Sequence, residues 1–203
     1  MLDTNTNCMM LKESINMNWI FTLAFLWHSI RSLTVAEAVV VRDEVELQTA
    51  VNSLSCLSSQ CEIEVKGEIS LSQEVTILRT ASVILSGAGG GVLKSVPGGD
   101  HSLIVIEGDL TTYNITLSGT GSTTNGGGCM RVFGESSSLS ALDGTIFSQC
   151  TSPQANGGGV IVADDATPTI RFKDVSVYDC AARSGGFLYN PSFQSIQFEN
   201  VRI

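Results

Sequence analysis

Four stretches decide the fold: Thr112-Tyr113-Asn114-Ile115-Thr116-Leu117, Leu142-Asp143-Gly144-Thr145-Ile146-Phe147, Phe172-Lys173-Asp174-Val175-Ser176-Val177 and Phe198-Glu199-Asn200-Val201-Arg202-Ile203. Stacked as rows, they start 30, 30 and 26 residues apart. The third column reads Asn, Gly, Asp, Asn, residues that tolerate a left-handed backbone. The sixth reads Leu, Phe, Val, Ile, all apolar. A glycine cluster falls in each interval: Gly126-Gly127-Gly128, Gly157-Gly158-Gly159 and Gly185-Gly186. Val83-Ile84-Leu85-Ser86-Gly87 reads as a weaker, earlier row, set against Ile115-Thr116-Leu117-Ser118-Gly119. Self-similarity at this period marks a solenoid.

Outward from these rows the chain is almost wholly β. Ile63, Val65, Ile69 and Leu71 alternate with Glu and Ser. Val75–Ile77, Val83–Leu85, Leu103–Ile106, Tyr113–Leu117, Cys129–Phe133, Gly144–Phe147, Val160–Ala163, Ile170–Val177, Phe187–Tyr189 and Ile196–Ile203 follow. Short β-branched runs bounded by turn residues fit a sandwich, a barrel or a β-helix. The repeat decides for the β-helix. Ankyrin, tetratricopeptide and armadillo repeats are mostly helical, and Leu-x-x-Leu-x-Leu is absent. Each repeat is then one coil, stacked about 4.8 Å above the last, with alternate side chains packed inward. The glycine clusters are expected to supply positive φ at corners.

One helix is expected, over residues 43–54. Asp43 is the cap and Glu46 stands in the capping-box position. Leu47, Ala50, Val51 and Leu54 make its apolar face.

The helix, the strands Cys61–Leu71 and the row Val83–Gly87 look like the start of right-handed parallel β-helix proteins of the pectin-lyase-like superfamily. There an amphipathic helix caps the open first coil. The Gly-Gly-apolar clusters, with Phe147-Ser148-Gln149-Cys150 and Gly185-Gly186-Phe187-Leu188, resemble the repeats of polymorphic outer-membrane-type proteins. The resemblance covers about residues 40–203. It implies an all-β, right-handed parallel β-helix of about five coils with a short N-terminal capping helix. A fold shared by many functions does not select one.

Residues 19–27, Trp-Ile-Phe-Thr-Leu-Ala-Phe-Leu-Trp, form a strongly apolar run. As a helix it rises about 14 Å, short of a bilayer core of about 30 Å, so no transmembrane segment is expected. It suits the apolar region of a secretory leader, and Ala36-Glu37-Ala38 has the small-x-small form of a cleavage site. Met17 is an alternative start, giving a 22-residue leader; a buried N-terminal helix is the competing reading. The expected division is a signal peptide over 1–38, a capping helix and loop over 39–62 and a parallel β-helix over 63–203. Residues 196–203 open a further row, which reads as the N-terminal part of a longer protein.

The 203 residues are 43% hydrophobic and only 15% charged, with a formal charge of −9. That excludes a coiled coil, a charged disordered tail and a basic nucleic-acid binder. Beyond residue 38 stand Cys56, Cys61, Cys129, Cys150 and Cys180. An odd count leaves at least one thiol unpaired within this part of the chain. Cys56 and Cys61 enclose four residues and are disulfide candidates. Cys150 and Cys180 share a repeat position, so they either bond between coils or stack as small buried side chains.

No cofactor is implied. There is no Cys-x-x-Cys pair for zinc, no Asp at the offset of a calcium nonapeptide beside Gly126-Gly127-Gly128, and no helix start after Gly87–Gly91 for a dinucleotide. A polysaccharide lyase or hydrolase would draw on Asp143, Asp164, Asp165, Asp174 or Asp179, with Arg131 or Arg171 as base. Turn roles account for Asp164, Asp165 and Asp174, and His101 reads as a loop residue. Asn114-Ile115-Thr116 is an N-glycosylation sequon, whereas Pro191 blocks Asn190. The leading expectation is a secreted or cell-surface scaffold that contacts carbohydrate or a cell-surface partner without catalysis. The alternative is a polysaccharide lyase or glycoside hydrolase.

Overall fold

The computed structural model describes residues 37–120, 128–134, 136–152, 159–164, 169–183, 186–189 and 195–203. Residues 1–36, Gly126, Gly127, Gly157, Gly158, Gly185, Asp165 and Asn190, on which several expectations rest, lie outside them.

Strand β1 (Val39–Val41) precedes helix α1 (Glu44–Val51) and the short helix α2 (Leu54–Ser58). Five coils follow, each giving one strand to each of three sheets, except that the fifth gives two to the second sheet. They comprise β2 (Gln60–Val65), β3 (Glu68–Leu71) and β4 (Val75–Ile77); β5 (Ser82–Ser86), β6 (Val92–Ser95) and β7 (Ile104–Ile106); β8 (Asp109–Tyr113), β9 (Thr116–Thr120) and β10 (Met130–Phe133); β11 (Ser138–Ala141), β12 (Ile146–Ser152) and β13 (Ile161–Asp164); and β14 (Thr169–Lys173), β15 (Ser176–Tyr178), β16 (Ala181–Ala182) and β17 (Leu188–Tyr189). Strand β18 (Ile196–Glu199) adds to the first sheet. The sheets run β1-β2-β5-β8-β11-β14-β18, β3-β6-β9-β12-β15 with β16 also on β12, and β4-β7-β10-β13-β17, and the strand pairs in them are parallel. The protein is a parallel β-solenoid of about five coils, as the rows require.

Register locks because alternate side chains enter one shared core. In the first sheet Ile63, Leu85, Thr112, Ala141, Phe172 and Phe198 stack in one column. In the second, Ile69, Leu93, Leu117, Phe147 and Val177 do so. These side chains are buried except Phe198, which is half exposed. The one hydroxyl in the first column, Thr112, meets the buried Thr145 hydroxyl at 3.1 Å, and Thr145 donates to the Leu142 carbonyl at 2.7 Å. A buried hydroxyl without such a partner would be costly.

The corner between the first and second sheets explains the rows. Asn114, Gly144, Asp174 and Asn200 all have positive φ, at 46°, 77°, 54° and 52°. The third column is the left-handed residue that turns each coil. At Gly144 the missing side chain also leaves room for the Asn114 amide, whose oxygen a Cβ there would displace. The runs read as Tyr113–Leu117 and Ile170–Val177 therefore straddle a bend rather than forming single strands, and Gly144–Phe147 begins in one.

The earlier row is shifted from its expected place. Val83 pairs with Leu110 and Leu85 with Thr112, not with Ile115 and Leu117, so Gly87 lies beside Asn114, and its N–H donates to the Tyr113 carbonyl at 3.1 Å. The turn at Gly89 and Gly90, both with positive φ, lengthens this corner before Val92 regains register with Thr116.

Among the described residues of the later glycine clusters, Gly128 and Gly159 stand close against the backbone of the next coil. A Cβ on Gly128 would overlap the Gly159 carbonyl, and one on Gly159 would overlap that of Gly186, whereas one on Gly186 would meet nothing.

The helix expected over 43–54 is interrupted. Asn52 ends α1, its side chain donating to the Gln48 carbonyl at 2.8 Å. Asn and Ser compete for helical backbone partners in this way. Leu54 consequently leaves the apolar face and is 83% exposed, while Leu47, Ala50 and Val51 are buried. Asp43 caps through its carboxylate, which accepts from the Glu46 N–H at 2.8 Å. Glu46 accepts in return from the Arg42 N–H at 2.7 Å, one residue before the expected one. Glu44 ties the helix to the first coil by accepting from the N–H groups of Ser72 and Gln73 and from the Ser72 hydroxyl, at 2.9, 3.0 and 2.7 Å.

Disulfides join Cys56 to Cys61 and Cys129 to Cys150, with Cα separations of 4.8 and 5.3 Å. Among the described residues Cys180 keeps a free thiol. Cys150 and Cys180 thus stack without a bond, and the partner of Cys150 is one the repeat register did not indicate.

Candidate functional site on the outer face of the seven-stranded sheet

The same alternation that fills the core aligns the outward side chains into ladders. One outer column runs Gln60, Ser82, Asp109, Ser138 and Thr169. The next runs Glu62, Ile84, Thr111, Ser140, Arg171 and Gln197. In a third, Glu64, Ser86 and Tyr113 stack, and Lys173 pairs with Glu199. Charge is sorted along the axis. Glu62 and Glu64 lie on the first coil, and Arg171 and Lys173 on the fifth. Glu199 ties down the latter pair at 3.6 and 4.0 Å.

Between these ends lies a hydroxyl-rich panel: Ser82, Ser86, Thr111, Tyr113, Ser138 and Ser140, with Ile84. Its one described charge is Asp109, whose carboxylate accepts from the Ser138 hydroxyl at 2.5 Å. Regularly spaced hydroxyls offer both donors and acceptors, and Tyr113 adds an aromatic face with a polar tip.

The candidate catalytic residues are scattered over the solenoid. Asp143 and Asp174 belong to the exposed corner between the first two sheets, and Asp174 accepts from the Asn200 amide at 3.0 Å. Asp179 has positive φ at the end of β15. Asp164 ends β13, and Arg131 lies on β10 of the third sheet with its guanidinium 5.5 Å from the Phe133 ring centroid. Arg171 is on the seven-stranded sheet. His101 shares its Nδ1 with the Ser102 carbonyl at 3.0 Å. No three His, Cys, Asp or Glu side chains gather as metal ligands among the described residues. No described helix is long and apolar enough to cross a membrane. Asn114 is exposed at its corner.

The hydroxyl panel escaped the sequence reading. Its members come from successive coils, and no local motif contains them. The signal was present in the outward positions of Ser82–Ser86, Asp109–Tyr113 and Ser138–Ala141, once register is known. Compared with protein-family models, curated proteins and solved structures, the chain has no match. The fold and this face define its class: a parallel β-solenoid with a polar, ladder-like outer sheet.

Proposed function

We propose that the mature chain is a secreted or cell-surface scaffold of the pectin-lyase-like kind that holds carbohydrate against its seven-stranded sheet without turning it over. The observation that carries this reading is the hydroxyl panel around Tyr113, a rigid array fixed by the backbone ladder. Such an array is preorganised, so a flat polar ligand binds without an ordering cost on the protein side. The dispersal of carboxylates over different faces supports contact rather than cleavage. Binding of the full chain to a panel of immobilised neutral polysaccharides tests it. Tyr113→Ala is expected to weaken the best binder at least about tenfold, the scale of losing one aromatic anchor. Release of reducing sugars or unsaturated uronates, abolished by changing Asp164 and Asp165, would replace this reading with the enzymatic one.

The same reading places an N-glycan on Asn114. The side chain is exposed and the sequon threonine, Thr116, opens β9. Secretion from a glycosylating cell is expected to yield a glycoamidase-sensitive band that disappears in Thr116→Ala. That variant is preferable to Asn114→Gln, because φ of 46° at position 114 suits Asn better than Gln. A band insensitive to the glycoamidase in the wild type would remove the glycan from the proposal.

A further inference from the structure

Three cysteines meet where the fourth coil passes the third and the fifth. The Cys129–Cys150 disulfide staples the third coil to the fourth. Cys180 lies on the fifth, in the repeat position that Cys150 occupies on the fourth. Two observations fix that equivalence. Ser148 pairs with Tyr178 and Thr151 with Ala181, so register is kept on both sides of the cysteines. The residues just before them, Gln149 and Asp179, share the same left-handed conformation, with φ of 55° and 53°. The Cys150 N–H donates to the Cys180 sulfur at 3.3 Å. Each sulfur also approaches a carbonyl of the coil below, Cys150 that of Leu117 at 3.5 Å and Cys180 that of Phe147 at 3.8 Å.

Stacked residues on neighbouring coils are about 4.8 Å apart, inside the Cα range that a disulfide spans. Cys150 therefore has two partners within reach and one bond to give. We propose that Cys150 is shared between two mutually exclusive disulfides, Cys129–Cys150 and Cys150–Cys180, which interconvert by internal thiol–disulfide exchange. The Cys180 thiolate attacks the Cys150 sulfur, the bond to Cys129 breaks, and Cys129 leaves as the thiolate and takes up the proton that Cys180 released. One S–S bond forms as one is lost, so no external oxidant or reductant is consumed. The staple moves one coil along the axis, from coils three and four to coils four and five.

Burial raises the Cys180 thiol above its ordinary range and the neighbouring Asp179 adds to this, while the hydrogen bond from Cys150 opposes it. The resting form is the protonated thiol, which makes exchange slow without a catalyst.

Trypsin separates the three cysteines onto residues 95–131, 132–171 and 174–183, so each pairing has its own cross-linked mass. The oxidised full chain is incubated at pH 8 with a trace of glutathione, quenched in acid, alkylated and mapped from the monomer fraction. Wild type is expected to show 132–171 joined to 174–183 within about tenfold of the amount of 95–131 joined to 132–171. Alkylated Cys129 should appear in step with it. Cys129→Ser is expected to close Cys150–Cys180 quantitatively in air. Absence of the second cross-link in wild type overturns the proposal. So does a folded, protease-resistant Cys129→Ser chain whose Cys150 and Cys180 both stay alkylatable.

Discussion

Gly128→Ala is expected to cost at least about 3 kcal/mol of stability, the upper end of overpacking penalties, and to abolish the protease-resistant core if the coils cannot part. The added Cβ would occupy the place of the Gly159 carbonyl on the next coil. That atom is backbone within a parallel ladder, so no side-chain rotation relieves the overlap. Gly186 supplies the comparison, since it holds the same column position and a Cβ there meets nothing within 4 Å. Gly186→Ala should stay within about 0.5 kcal/mol of wild type, as surface changes do. Urea unfolding followed by circular dichroism, with limited trypsin digestion, measures both. Equal loss in the two variants would mean that close approach of backbones is not what these glycines provide.

Phe172→Ala carries the second large effect, about 3–5 kcal/mol. Its ring is fully buried and touches three others: Phe147 edge-on at 6.3 Å between centroids, Phe187 at 5.0 Å, and Phe198 stacked at 5.3 Å. Truncation removes the transfer energy of the ring and leaves a void that the neighbouring coils, pinned by their ladders, cannot close. The adjoining Ala141 is too small to fill it. Phe198→Ala, at a ring 53% exposed, should cost less than about half as much. Phe172→Leu should recover most of the loss. The shift in unfolding midpoint along this series decides the point. A Phe172→Ala midpoint matching that of Phe198→Ala would show that the aromatic cluster adds little to the stack.

The corner column was legible in advance because its constraint is local. A left-handed residue admits few side chains, so Asn114, Gly144, Asp174 and Asn200 mark the bend by their identity. Alternation was legible for the same reason: burial selects apolar residues one position at a time, as in Ile63, Val65, Ile69 and Leu71. What remained hidden depends on the neighbouring coil. Gly128 looks like any turn glycine until the Gly159 carbonyl is set beside it. The lengthened corner at Gly87–Gly91 slid the first row out of its true alignment, because an insertion leaves no trace in a pattern of apolar residues. The break of the helix at Asn52 followed from a side-chain bond that outcompeted an apolar periodicity. Cys129 shares its repeat column with Val160 and Phe187 rather than with a cysteine, so spacing could not pair it with Cys150. The hydroxyl panel was hidden most completely. Outward positions are free of packing constraints, and Ser82, Thr111 and Ser140 become one surface only when three coils are superposed.

The in-register stack has a kinetic side. Each described strand of the solenoid pairs with strands one coil before or after it, never with a distant part of the chain. The loop that must close before a new coil is rewarded is therefore the same modest loop every time, whatever the number of coils already formed. Assembly can begin on any adjacent pair and spread to its neighbours like a zipper, each coil serving as the template for the next. A lesion such as a crowded glycine then acts as a stop in this propagation, dividing the ladder into segments that form independently and fail to join.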